Sequence, residues 1–542
     1  MNKPAKTIRI ASANDPKVTD RVRSVDLLAR RGSKELVIAF MGAVGCGLPR
    51  VVTTLESLLV ERNYKVIRIK LSDFIREQIK LGSLDIPQTE VDNRYFVGQT
   101  GGNLLRQQHG PEVLAQYAIG QIARHRVAID KELAGLASEP PRIAYFIDQI
   151  KHPEEVMLFR MIYRNLFYLV GVMSTQEHRE SRLLDEGLTS EAIQEIIKRD
   201  KKQSQKYGQQ LEKAFKLADY FMHHPLGNDE LIPTQAKRFV DLLHGHNGIT
   251  PTRHEHAMYV AHSTALKSSC MSRQVGAVIT DKTNRIIAVG TNDVPQYGGG
   301  LYSADSIADD RCFSQRGVCE NVTQKIKRKN KIRDGIAAGL ETLFTEKKIL
   351  AAVTQKIDEL VELTYAQSGV PDLIEFSRAV HAEMDALISL SRGGGGSTAG
   401  GTLYTTTFPC HNCARHIVAA GIEKVYYIEP YEKSLAIDSH SDSIVVLDHD
   451  EESQSIEQLQ KVKLIHFSGV GPRLYPQMFL RGDSRKKDDG SWIEYNSMEQ
   501  ESANKIVQEY IDSYRTFEAK IAALFTEEFA SDQSEEPPPL SA

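Results

Sequence analysis

The stretch Glu35 to Arg50, ELVIAFMGAVGCGLPR, decides the fold of the first half of the chain. Its opening run, Glu35 to Met41, is apolar without alternation, the pattern of a strand buried on both faces. The run ends in the glycine-rich Gly42-Ala43-Val44-Gly45-Cys46-Gly47, and from Leu48 to Arg62 the sequence reads as helix. Strand, tight loop and helix in that order open a crossover unit. Further strands are expected at Lys65 to Leu71, Ile143 to Ile147 and Leu166 to Val172, with long helical patterns between them. This half is therefore predicted to be a mainly parallel sheet covered by helices.

Gly42 and Gly47 have the two-glycine spacing of the phosphate-binding loop G-x-x-x-x-G-K-[ST], with Gly45 between them. The next residues are Leu48 and Pro49, so the lysine that reaches the phosphates and the hydroxyl that holds magnesium are both missing. Efficient phosphoryl transfer is not expected. Asp148 ends the third expected strand in the manner of a magnesium-holding carboxylate, and Arg94, Arg106, Arg179 and Arg182 are candidate phosphate contacts in a kinase-like fold. Backbone amides at a helix N-terminus bind phosphate without a lysine. Three readings of this unit stay open: a nucleotide- or RNA-sensing regulatory domain, a structural relic and a working kinase.

The strongest chemical signal lies far downstream. His381-Ala382-Glu383 is followed by Pro409-Cys410-His411-Asn412-Cys413, the H-x-E…P-C-x-x-C arrangement of zinc deaminases. One imidazole and two thiolates leave a zinc ion an open position, which marks a catalytic rather than a closed structural site. Both halves are predicted to open helices, where the positive end of the dipole favours the thiolates of Cys410 and Cys413. His381 and Glu383 are two apart and do not share a helix face, so one binds metal while the other reaches substrate. Glu383 is the expected proton carrier: it takes a proton from water, protonates a ring nitrogen and finally supplies the departing amine.

The chain has 542 residues with a net charge of −4, which suits several soluble domains and disfavours a protein whose task is coating DNA or a membrane. The first thirty residues contain no signal-peptide core, and the longest apolar run, Leu166 to Met173, is far shorter than a membrane span of about 18 residues. A cytoplasmic protein is expected, and the six cysteines are too scattered for a disulfide framework. The expected layout is an N-terminal extension over 1–30, a kinase-like domain over 31–250 and a second α/β domain over 251–515. An inserted, mostly helical stretch at 301–375 and an acidic, proline-rich disordered tail at 526–542 complete it. Cys312 and Cys319, inside the insertion, could hold a second, structural zinc with ligands that the sequence does not fix. The basic run Lys325 to Lys329 reads mainly as a solvated helix face, with nucleic acid, triphosphate or the other domain as alternatives.

Residues 253 to about 435 resemble a deoxycytidylate deaminase, carried by SRQVGAVITDKTNRIIAVGTN, HAEMDAL and LYTTTFPCHNCARHIVAAGIEKVYYIEPYEKS. With the preceding phosphate-loop domain, the insertion and the late motif Phe467-Ser468-Gly469-Val470-Gly471-Pro472-Arg473, the chain resembles the bacterial anti-phage deoxycytidine nucleotide deaminases of the DcdV/AvcD family. The fold class implied is α/β: a P-loop kinase-like parallel sheet plus a three-layer α-β-α domain of the cytidine deaminase type. The resemblance implies zinc-dependent deamination of dCTP, dCMP or both, depletion of a DNA precursor during phage infection, a nucleotide effector, an inhibitory small RNA and a homo-oligomer. It also implies that Asn292 binds the sugar hydroxyl and that Tyr427 and Tyr431 approach base or sugar. Asp385 receives no role.

Two other functions compete with that reading. A deaminase of RNA or single-stranded DNA would use the same metal chemistry but needs a basic, aromatic-rich channel, which near-neutral charge and a single tryptophan, Trp492, do not favour. A nucleotide or RNA sensor would signal through the N-terminal unit with the deaminase as its output. The presence of Glu383 argues against a dead enzyme.

Overall fold

The computed structural model describes residues 33–133, 141–201, 210–228, 230–343, 354–431, 434–449, 460–480, 485–493 and 511–529. The expected extension at 1–30 lies outside them, as does the tail beyond Phe529. Two mixed α/β units are present, each built on a six-stranded sheet.

The first sheet contains β1 (Glu35–Gly42), β2 (Lys65–Lys70), β3 (Ile143–Asp148), β4 (Phe167–Met173) and β5 (Tyr220–His223). These five pair in parallel in the order β5-β4-β1-β3-β2, with Val37 of β1 opposite Tyr145 on one side and Phe167 on the other. All eight residues of β1 are buried, as a central strand covered on both faces must be. Gly47, with φ 77°, turns the chain into the Leu48–Val60 helix, and Pro49 fits the first turn, where no amide partner is needed. Tyr220–His223 is a strand that the sequence reading did not anticipate.

The second sheet contains β6 (Gly276–Thr280), β7 (Ile286–Thr291), β8 (Thr402–Thr407), β9 (Lys424–Glu429), β10 (Ile444–Leu447) and β11 (Val462–His466). Its order is β10-β11-β9-β8-β6-β7, with β6 antiparallel to both β7 and β8 and the remaining pairs parallel. A turn at Asp281 to Asn284 joins β6 and β7, and the Asp281 carboxylate accepts from the Thr283 and Arg285 amides. The Arg253–Ala265 helix begins at a capping box in which Thr252 and Glu255 exchange hydrogen bonds.

The boundary expected between residues 250 and 251 is a break in the chain but not in the core. One apolar cluster runs from Leu36 and Phe40 of the first unit to Val278, Tyr404 and Ile465 of the second. A short strand, β12 (Gly469–Val470), crosses back and pairs antiparallel with β5. Glu255, 1% exposed, accepts from the Val470 amide at 2.9 Å and from Arg238 at 2.6 Å, so one carboxylate of the second unit ties both to the first.

The end of the chain corrects the expected layout. Ile511–Phe529 is a helix packed on the Val113–Leu133 helix of the first unit, so 251–515 is not one body and 526–529 is not tail. Phe525 and Phe529 stack on each other and meet Phe74 of the first unit, while Glu518 pairs with the buried Arg126. Aromatic burial of this kind anchors a terminal helix.

Candidate active site

His381 is the N-cap of the Ala382–Gly393 helix and Cys410 the N-cap of the His411–Ala419 helix. Each therefore sits at a helix start, as the spacing predicts. The two helices lie against the second sheet, and Gly290 in β7 makes this close packing possible. A Cβ there would fall on the Ala382 carbonyl and the Ala386 amide and lie 3.0 Å from the Ala386 Cα.

His381 Nδ1 lies 3.2 Å from Cys410 Sγ and 3.3 Å from Cys413 Sγ. Ligand atoms bonded tetrahedrally to zinc at about 2.0–2.3 Å stand about 3.5–3.8 Å apart, so this triad fits the ion with a shift of a few tenths of an ångström. Among the described residues it is also the one group of three His, Cys, Asp or Glu side chains close enough to hold a metal. Cys312 and Cys319 gather no such set: Cys319 faces Ser272 at 3.6 Å and Cys312 faces Arg378 at 3.9 Å.

The electrostatics favour the metal-binding thiolate at Cys410. The Cys413 thiol and the His381 ring hydrogen-bond to Cys410 and hold its pKa down to about 4, while Cys413 itself is raised by that shared hydrogen bond and by burial. Glu383 is 4% exposed, burial pushes its pKa up to about 7, and its Oε2 lies 3.4 Å from Cys413 Sγ. A carboxyl that changes protonation near neutrality, held beside three ligands, is suited to receiving and returning a proton.

These groups open onto a cavity of about 340 Å³ whose wall includes Asn292, Arg273, Tyr431 and Phe408. Asn292 lines it with an amide that is already engaged: Oδ1 accepts from the Val275 amide at 2.7 Å and Nδ2 donates to the Arg273 carbonyl at 2.7 Å. It thus fixes the loop before β6 and keeps one further acceptor and one further donor site. Tyr431 lies at the wall with the Arg273 guanidinium 5.5 Å from its ring centre. Tyr427 does not reach the cavity. It is packed edge-on against Phe408 and His466 in the core, because β9 is buried on both faces. Its expected place near base or sugar is corrected accordingly.

Several contributors were not legible in the sequence. Asp385, given no role, accepts from the Thr291 amide at 3.0 Å and so fastens the end of β7 next to Asn292. The insertion forms the far wall of the cavity through Cys312, Cys319, Lys325 and Asp372. Its basic run is tied down: Lys325 donates to the Pro371 carbonyl at 2.7 Å, Arg328 lies 3.7 Å over the Phe376 ring and Lys329 pairs with Glu362.

In the first unit, the loop Gly42 to Gly47 and Asp148 border a separate cavity of about 440 Å³. Burial raises the Asp148 pKa against the pull of Arg68 and Lys70. The loop lacks the expected lysine in sequence, yet Lys151, just beyond β3, brings an ammonium to it: Nζ donates to the Gly42 carbonyl and to Asp200 Oδ1, both at 2.8 Å. Asp200 Oδ2 accepts from the Val44 amide at 2.6 Å, so a buried carboxylate already occupies one amide of the loop. Arg179 and Arg182 donate to the Val44 and Gly45 carbonyls, at 2.7 and 3.1 Å. Both arginines, expected on phosphates, hold the loop itself, and Arg182 also lines the cavity.

Comparison with known proteins bears on the second unit above all. Residues 251–429 match the family model described as the cytidine and deoxycytidylate deaminase zinc-binding region. The deoxycytidylate deaminase of Enterobacteria phage T4 is 32% identical over 177 residues, which are 33% of this chain and 78% of that enzyme. A crystal structure of dCMP deaminase from the cyanophage S-TIM5 is 18% identical and aligns with 40% of this chain and 100% of its own, with a TM-score of 0.21. Shikimate kinase from Acinetobacter baumannii aligns with 38% of this chain and 92% of its own at 12% identity, with a TM-score of 0.22. With the zinc-binding triad and the T4 relative in agreement, the chain belongs to the deoxycytidylate deaminase family of zinc-dependent hydrolases.

Proposed function

We propose that the protein deaminates free deoxycytidine nucleotides, dCMP, dCTP or both, to the deoxyuridine forms. The observation that carries this reading is Glu383, buried beside the His381–Cys410–Cys413 triad at a cavity of about 340 Å³. That volume lies within the range of small-molecule sites, about 300–1,000 Å³. Zinc would be held by His381, Cys410 and Cys413 and would supply Lewis acidity that makes water a better nucleophile near neutral pH.

The chain's own groups account for the rest of the reaction. Glu383 accepts a proton from the attacking water and passes it to the N3 ring nitrogen, then takes the proton of the resulting C4 hydroxyl and delivers it to the leaving amine. The new C4–O bond replaces the C4–N bond, and ammonia departs. Asn292 offers its remaining donor and acceptor to the sugar hydroxyl, and Tyr431 closes the side of the cavity beside Arg273.

The finer parts of the reading rest on the resemblance to the anti-phage DcdV/AvcD deaminases. In it the reaction depletes dCTP in the cytoplasm during phage infection, under control of a nucleotide effector, an inhibitory small RNA and self-assembly. Among the described residues no helix is long and apolar enough to cross a membrane. The N-terminal unit is the proposed regulatory, nucleotide-binding part, with Gly42, Gly45, Gly47 and Asp148 at its cavity. What supports control by this unit is a direct mechanical link. Asp448, just after β10, accepts from the Thr175 amide and from His178, the N-cap and a first-turn residue of the Gln176–Asp185 helix whose Arg179 and Arg182 grip the loop.

The test is to incubate the zinc-loaded protein with dCMP, dCTP, CTP and a cytosine-containing oligonucleotide while following ammonia and uracil products. Conversion of a free deoxynucleotide is expected. Conversion of the oligonucleotide alone would replace this reading with a polynucleotide deaminase.

A further inference from the structure

The N-terminal cavity has a wall that neither the deaminase chemistry nor the glycine loop explains. One face of the Arg94–His109 helix lines it, through Tyr95, Gly98, Gln99, Gly102 and Arg106. These positions fall on one stripe at helical spacing. Gln99 and Arg106 are 3% and 1% exposed. Gln99 Nε2 donates to the Ile196 carbonyl, but its Oε1 has no partner. Arg106 is held by Glu155 through Nε and Nη2, at 2.9 and 2.8 Å, and its Nη1 has no partner. An acceptor and a donor left unpaired in a native interior call for an explanation, because each costs about 1–3 kcal/mol.

The rest of the cavity indicates what satisfies them. Val52, Leu71, Ile75 and Leu114 give it an apolar floor. Arg68, Lys70, Arg76, Arg94, Lys151 and Arg182 line it as well, with Arg68, Arg76, Arg94 and Lys151 each already paired, to Glu56, Asp73, Glu186 and Asp200. Glu155 and Asp200, which hold Arg106 and Lys151, stand behind the lining. An apolar slot with an unpaired donor and acceptor, next to a cationic wall, has the chemistry of a base followed by phosphates.

We propose that the Arg94–His109 helix binds the base of a nucleotide, which accepts from Arg106 Nη1 and donates to Gln99 Oε1, while the cationic wall takes its phosphates. This deepens, and rests on, the reading of the N-terminal unit as nucleotide-binding. The pair replaces the loop as the source of specificity, since Asp200 already occupies the Val44 amide.

The test uses the full zinc-loaded chain and measures binding by equilibrium dialysis with ATP, GTP, dTTP, dUTP and inorganic triphosphate. None of these carries a cytosine amine, so none is consumed as a deoxycytidine nucleotide. At least one nucleotide should bind, at least tenfold more tightly than triphosphate. Gly98→Leu is the main variant: a Cβ at Gly98 meets nothing within 4 Å, and leucine favours a helix over glycine, so the fold is kept while the cavity is filled. It should weaken binding tenfold or more with no fall in melting temperature, and Gln99→Leu should weaken it similarly. Binding to no nucleotide would defeat the nucleotide-binding reading itself. Binding that Gly98→Leu and Gln99→Leu leave untouched would defeat the helix assignment alone, and triphosphate binding as tightly as any nucleotide would show a polyanion site without base recognition.

Discussion

Replacing Gly290 by alanine tests whether the close packing of β7 on the catalytic helix sets the geometry of the zinc site. The added Cβ would overlap the Ala382 carbonyl and the Ala386 amide, backbone atoms of the helix that begins immediately after His381 and carries Glu383. No rotamer change relieves a clash with backbone. To regain ordinary contact, the helix or the strand has to retreat by about 1 Å, given optimal separations of about 3.5–4.0 Å. Overpacking of this kind costs about 1–3 kcal/mol, and a 1 Å misplacement of reacting groups costs about 10²-fold in rate. We therefore expect Gly290→Ala to lower kcat/KM for the preferred deoxynucleotide by about two orders of magnitude and to lower the denaturation midpoint. Gly335→Ala serves as the control, because that helical glycine has nothing within 4 Å of its Cβ position and should be neutral or stabilising. Wild-type kinetics and wild-type stability in Gly290→Ala would refute the packing argument.

Other expectations concern the metal, the buried ion pairs and acid sensitivity. Cys410→Ser or His381→Ala should lose tightly held zinc by elemental analysis and lose deamination with it; full zinc content in either variant would contradict the ligand assignment. Arg126→Met removes the guanidinium between Glu35 and Glu518 and strands two buried carboxylates. A loss of about 3–5 kcal/mol on urea denaturation is expected, and a change under 1 kcal/mol would mean that the terminal helix is not anchored there. Burial holds His223 and His244 neutral, with pKa values down to about 3 and about 4. Unfolded, both titrate near 6.5, so stability should be complete above that pH. It should fall by about 1.4 kcal/mol per pH unit for each histidine as acid protonates the unfolded chain. A flat stability profile between pH 7 and 5 would exclude these two as the acid-sensitive groups.

That His381, Cys410, Cys413 and Glu383 come together was readable because the chemistry they suggest needs them at short, fixed offsets within two segments. The central strands β1, β3 and β4 were readable because they are uninterrupted apolar runs; the four-residue β5 was too short to stand out. What escaped the sequence joins residues far apart in it. Lys151 and Asp200 meet at the glycine loop, Asp448 docks on His178, and Glu518 returns to Arg126; none of these pairs shares a local pattern. Tyr427 was placed near base or sugar by the family resemblance; it lies inside β9, which is buried on both faces, so its own sequence pattern could not have shown that it points into the core. The strand Gly469–Val470 is too short to show any period, yet it carries the second half of the chain back onto the first sheet.

In the proposed reaction Glu383, beside the His381–Cys410–Cys413 triad, moves the protons of deoxycytidine nucleotide deamination. The most direct measurement is zinc content and dCMP or dCTP turnover on the same preparations of wild type and Glu383→Gln. Since general acid–base catalysis is worth about 10²–10⁴-fold, the variant should keep its zinc and lose at least that much of kcat. A zinc-replete Glu383→Gln protein that turns over at the wild-type rate would contradict the account.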